Sequence, residues 1–202
     1  MSTTAVTSSV LADSFSSAPL WYTTRSTAIV GFVLLTLTTV FGVAATQRAL
    51  ASRAWPRFAT QDLHRNLSLL GLVFIGTHIV TSIVDSYVNI SWWALLVPGT
   101  SHYQGRWVTF GTIAFDLLIV ITVTSLLRTR MPAKLWRSIH WFSYAAWASA
   151  WFHFLKNGTD SRHHRFGLWL DLVCLVVVVA AGAIRLTTQN SPAPVRSVAA
   201  GR

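Results

Sequence analysis

The sequence predicts an all-α fold: a polytopic membrane helical bundle of about five transmembrane helices, with the N-terminus outside and the C-terminus cytoplasmic. Three observations predict it. Of 202 residues, 52% are hydrophobic and only 11% are charged, against about 25% charged in an ordinary soluble domain. The apolar residues fall in five long runs, and a span needs roughly 20 of them. The cations gather on alternate connections between those runs. Such hydrophobicity excludes disorder for the bulk of the chain. A single cysteine, Cys174, excludes a disulfide scaffold.

Residues 1–18 are rich in Ser, Thr and Ala and carry no Lys or Arg. They lack the basic start and apolar core of a secretory signal and read as a disordered tail. The membrane domain occupies residues 19–187. Its apolar runs are Thr27–Ala45, Asp62–Val84, Trp107–Leu127, Leu135–Leu155 and Leu168–Leu186. Residues 188–202 form a second, polar tail with two prolines. One side collects Arg48, Arg53, Arg57, Arg65, Arg128, Arg130, Lys134, Arg137, Arg185, Arg196 and Arg202; the other has Arg25, Arg106, Lys156, Arg162 and Arg165. The positive-inside rule makes the richer side cytoplasmic. Trp92, Trp93, Trp107 and Trp136 sit where an interfacial aromatic belt would. The loop around Trp92, Trp93 and Pro98 has room for a short interfacial helix. The net charge of +10 is then the charge of loops facing anionic lipid, with no nucleic-acid footprint. A multi-pass protein of the cell membrane is expected.

Four of seven histidines lie in the predicted spans: His64, His78, His140 and His153. His64 and His78 are 14 residues apart on the second span, about 21 Å at 1.5 Å per residue. His140 and His153 are 13 apart on the fourth, about 20 Å. One span lies between, so the two histidine-bearing spans run in the same direction. His64 and His140 therefore share a depth near the inner surface, and His78 and His153 share one near the outer surface. Imidazole suits Zn, Cu, Fe and Ni. A closed zinc site wants four protein ligands, and neither pair is joined by a cysteine or carboxylate. Haem iron needs two axial ligands, so two bis-histidine haem b groups fit these pairs best, held in a bundle core. Phase favours one helix over the other. Fourteen residues bring His78 within about 40° of His64, whereas thirteen leave His153 about 140° from His140. The fourth span needs a kink, a π-bulge or different approach angles to present both. Gly71, midway between His64 and His78, offers either porphyrin access or helix packing.

The stretches DLHRNLSLLGLVFIGTHIV and WRSIHWFSYAAWASAWFHF resemble the ferric-reductase-like transmembrane domain. That superfamily includes NADPH oxidases, ferric reductases and the haem-binding membrane subunit of the bacterial methionine-sulfoxide reductase system. The resemblance covers roughly Thr27–Leu186 and makes 19–187 a transmembrane haem domain. It implies an inner haem on His64 and His140 and an outer haem on His78 and His153. Family members often have six spans, where five are counted here. Oxidases and ferric reductases continue into flavin and nicotinamide domains. Here a short tail follows residue 187, and no G-x-G-x-x-G fingerprint is present. The expectation is an electron-transfer subunit of an oxidoreductase system, served by a flavoprotein or other redox partner on a separate chain.

Other residues carry weaker signals. Arg65 and Arg137, beside the inner histidines, suit haem propionates or lipid head groups equally; Arg106 and Lys156 stand likewise near the outer ones. Asp116, mid-span, is either a proton-relay group or polar glue between helices. With no Glu in the chain, paired-carboxylate catalysis is poorly supported, and no catalytic residue is assigned. His102, His163 and His164 read as solvated loop histidines or an outer metal site. Trp147 and Trp151 read as core packing or as rings against porphyrin. Cys174 reads as an inert small apolar residue. Asn89 and Asn157 open chance-level glycosylation motifs. The alternative function is a non-haem transporter or channel moving protons or metal through the four histidines and Asp116.

Overall fold

A computed structural model describes residues 3–46, 57–85, 90–101, 103–157 and 165–189. Helix α1 spans Thr3–Thr46, α2 Arg57–Val84, α3 Gly105–Leu126, α4 Ala133–His140, α5 Phe142–Asn157 and α6 Arg165–Gln189. Two 3₁₀ turns, Trp92–Leu95 and Arg128–Arg130, flank α3. No strand occurs among the described residues.

Four helices are long and apolar enough to cross a membrane: α1 from Pro19, α2, α3 and α6. Their surfaces show the same adaptation. Leu69, Val73 and Val80 on α2 and Leu172, Val176 and Val179 on α6 are all exposed. Threonine hydroxyls along these helices bond back to carbonyls three or four residues earlier, as Thr39 does to Leu35 and Thr77 to Val73. Polar side chains thereby need no water. Helix α1 begins at Thr3, inside the stretch expected to be a tail, because no Gly or Pro interrupts the helix before Pro19. The C-terminal tail beyond Gln189 lies outside the described residues.

The fourth expected span is not one helix. It is α4 and α5, with Trp141 in a turn between them. The Trp141 N–H still reaches the Arg137 carbonyl at 3.2 Å, but the Tyr144 N–H reaches back only three residues, to Trp141. This tightened turn ends α4 without Pro or Gly. Helix α5 has 16 residues, about 24 Å, less than the roughly 30 Å hydrocarbon core. Neither α4 nor α5 is among the four helices long and apolar enough to cross a membrane.

Helix α1 lies chiefly along α2, and α3 chiefly along α5, while α6 closes on α1 and α5. The core sits where α1, α5 and α6 meet: Phe32, Trp147, Phe154, Cys174 and Val178. Phe32 stacks on Trp147 at 6.2 Å and on Phe154 at 4.8 Å between ring centres. The Trp147 indole N–H donates to Thr36 Oγ1 at 3.0 Å, and Thr36 donates to the Phe32 carbonyl. The Trp92–Leu95 turn forms where an interfacial helix is expected. Ser91 caps it, Ala94 is buried, and the Ala94 carbonyl accepts from Thr112 of α3 at 2.7 Å. Phe32→Ala is expected to cost about 3–5 kcal/mol in reversible unfolding in mixed micelles. Leu126→Ala, at a side chain 76% exposed, should change it by less than about 0.5 kcal/mol.

Candidate functional site

The structure brings the four span histidines together in two pairs. His64 of α2 faces His140 at the end of α4, with ring centres 6.3 Å apart. His78 of α2 faces His153 of α5 at 6.4 Å. The ring planes cross at 73° and 67°. The turn at Trp141 is the kink that the 13-residue spacing demands. It lets one side of the bundle present both His140 and His153.

Three of the four rings are fixed in one way. His64 Nδ1 lies 2.8 Å from the Thr38 carbonyl oxygen, and His78 Nδ1 lies 3.0 Å from that of Thr24. His153 Nδ1 lies 2.8 Å from the Trp107 carbonyl oxygen. A carbonyl only accepts, so each Nδ1 carries the proton and donates. Each Nε2 is then the nitrogen left with a lone pair, the state a metal ligand requires.

The small residues opposite these rings follow from the same contacts. Gly42 stands four residues after Thr38, and Gly111 four residues after Trp107. A Cβ on Gly42 would meet the His64 ring at 3.1 Å; one on Gly111 would meet the His153 ring at 2.7 Å. Ala28, four after Thr24, lines the same cavity as His78. The His64 and His153 rings each reach a carbonyl and pass over a glycine one turn on. The sequence trace of this is that Thr24 and Thr38, like Ala28 and Gly42, are 14 apart on α1, echoing His64 and His78 on α2. Gly71 serves differently. Its Cβ would meet Leu34 of α1 at 3.5 Å, so it belongs to helix packing.

His140 is the exception. Its Nδ1 is buried without a hydrogen-bond partner, as is the Trp136 indole nitrogen. The two rings stack at 5.0 Å and 24°. Arg128 lies over the far Trp136 ring at 4.5 Å. Arg185 of α6 donates to the Tyr144 hydroxyl at 2.7 Å and lies over Trp141 at 4.4 Å. The two rings these arginines cover are Trp136, which stacks on His140, and Trp141, the residue that follows His140. Arg65 and Arg137, singled out from their place in sequence, are exposed. The cations drawn toward His140 come from the end of α3 and from α6.

His78 and His153 open on a cavity of about 440 Å³, lined mainly by apolar side chains of α1, α2, α3 and α5. Its polar lining includes Arg25, Asp85, Tyr103 and Asn157. In sequence Arg25 counted only toward the charge balance of the loops, and Asp85 was not singled out. Asp85 is only 2% exposed.

The remaining candidates fall as follows. Asp116 is half-buried and does not line the cavity. Arg106 and Lys156 are exposed, Lys156 over the Trp107 ring at 5.5 Å. Trp147 is core, and the Trp151 indole N–H donates to the Asp171 carbonyl at 3.2 Å. Cys174 is a buried free thiol. Asp171, only 1% exposed within α6, is a buried carboxyl that the sequence did not flag. His102, His163, His164 and Asn89 lie outside the described residues. Among the described residues no three His, Cys, Asp or Glu side chains gather as a metal site, so the histidines stand as pairs. No protein-family model, curated protein or solved structure matches the chain.

Gly111→Ala is expected to displace the His153 ring and lower stability by roughly 1–3 kcal/mol. Gly76→Ala, where a Cβ would meet nothing within 4 Å, is expected to be neutral or mildly stabilising. Thermal unfolding of the two variants in the same detergent reads the contrast.

Proposed function

We propose that the chain carries electrons across a membrane by holding two b-type haems, one on His64 and His140 and one on His78 and His153. A single observation carries this reading. Metal–imidazole bonds of about 2.0–2.1 Å, with each ring centre roughly 1.1 Å behind its nitrogen, put two imidazoles trans on one metal about 6.3 Å apart. The pairs stand at 6.3 and 6.4 Å. Two further observations suit the same group. Three rings present an Nε2 lone pair because Nδ1 is engaged, and the His78/His153 pair opens on a largely apolar cavity of ligand size.

Bound there, haem iron would supply a one-electron Fe(III)/Fe(II) couple at each of two depths about 21 Å apart along α2. The chain's own residues do the rest. The four histidines would hold the two groups, and the carbonyls of Thr38, Thr24 and Trp107 keep His64, His78 and His153 in one tautomer. Gly42 and Gly111 admit the rings. The apolar walls exclude water, and Arg25 offers an anion partner beside the cavity, as Arg128 and Arg185 do near His140. Charge on the loops makes the His64/His140 end cytoplasmic, in a cell membrane. A flavoprotein is the fitting class of redox partner for the inner side.

Purified protein is expected to show a dithionite-reduced minus oxidised spectrum of low-spin b-type haem, at two haems per chain. His64→Ala and His140→Ala should each remove the same one, and His78→Ala and His153→Ala the other. A chain that stays colourless when expressed with ample haem overturns the proposal and favours the transporter reading. Loss of both haems in every variant would overturn the pairing.

A further inference from the structure

The two pairs are alike in spacing and unlike in surroundings, and the difference has one electrostatic sense. At the His78/His153 pair, both rings donate Nδ1–H to a main-chain carbonyl. Such a bond makes an imidazole more basic toward its metal and favours the oxidised ion. The charged groups lining that cavity are one cation and one carboxylate, Arg25 and Asp85. At the other pair only His64 has the carbonyl bond; His140 Nδ1 has none. The charged groups held against the rings beside His140 are cations. Arg128 reaches His140 through the Trp136 stack, and Arg185 is held by Tyr144 and Trp141. Exposed cations stand near both pairs, Arg65 and Arg137 here and Arg106 and Lys156 at the other, and they, like the exposed Asp62 of α2, are screened by solvent. Positive charge favours the reduced metal, which carries one positive charge less.

We infer that the His64/His140 pair holds its redox centre at a higher potential than the His78/His153 pair, with Arg185 and Arg128 as the residues that set the difference. The inference rests on the two-haem reading. It means that an electron shared between the two centres resides at the His64/His140 end. Spontaneous transfer inside the chain then runs from His78/His153 toward His64/His140: one electron leaves the first centre and one arrives at the second. Transfer in the other sense needs a donor strong enough to fill the higher centre first.

The test is potentiometry of the holoprotein followed by optical and electron-spin spectra. The variants His64→Ala and His78→Ala assign each signal. The signal lost in His64→Ala is expected to be the more positive. Arg185→Gln should lower that potential alone, by about tenfold in the one-electron equilibrium, or about 59 mV. Arg128→Gln should act in the same direction, and Arg185→Lys, which keeps the charge, should restore most of the shift. A purely structural role for Arg185 would broaden or remove the signal without a rescue by lysine. Equal potentials, the opposite order, or arginine variants that leave both potentials unmoved would overturn the inference while leaving the two-haem reading intact. Failure to bind haem at all would instead overturn that reading, and the inference with it.

Discussion

The arrangement depends on one interaction: a histidine Nδ1–H donated across a helix interface to a carbonyl that already accepts its own helix bond. A carbonyl oxygen has two lone pairs, so the accepting helix keeps its own bond beside the second one. The requirement is steric. A ring can reach that oxygen only if the residue one turn on is small, which is why Gly42 and Gly111 stand under His64 and His153. The bond fixes the ring, its tautomer and the register of two helices at once. On α1 and α2 it is made twice, at Thr38 with His64 and at Thr24 with His78. Fourteen residues is close to four full turns of an α-helix, so both contacts fall on one seam of an antiparallel pair.

The second pair of helices meets a different constraint. Thirteen residues do not close on whole turns, and a straight helix would send His140 and His153 to different faces. The chain resolves this by ending α4 at His140 and restarting at Phe142. The cost falls on His140, which leaves the hydrogen-bonded seam and stacks on Trp136 instead. The asymmetry between the two sites thus has its origin in one missing residue of spacing.

Much of this was legible in the sequence, for identifiable reasons. Apolar runs give helices because lipid offers no partner to an open backbone. Histidine is costly in such runs, so four of them at matched spacings stood out. Helical phase alone asked for a kink, a π-bulge or different approach angles between His140 and His153. What stayed hidden were partners that carry no sequence identity. The carbonyls of Thr24, Thr38 and Trp107 belong to the main chain, and only the small residue four positions on betrays them. Arg185 is 45 residues from His140, so nothing local joined them. Arg65 and Arg137 stand next to His64 and near His140 in sequence and are exposed. The split of the fourth span was visible as a phase problem, but its place at Trp141 was not.

The pairing of helices also has a consequence for assembly. The α1–α2 hairpin carries His64 and His78, one half of each site, and the α3–α5 unit carries His140 and His153, the other halves. Each unit is tightly packed within itself, and the histidine pairs span the seam between them. Neither unit alone places two imidazoles at one depth. The two units are joined by the aromatic core, where Phe32 and Thr36 of α1 meet Trp147 and Phe154 of α5. Phe32 and Thr36 lie between Thr24 and Thr38 on α1, so one patch of packing sets the register of both pairs, and a side chain lost there is felt at two depths at once.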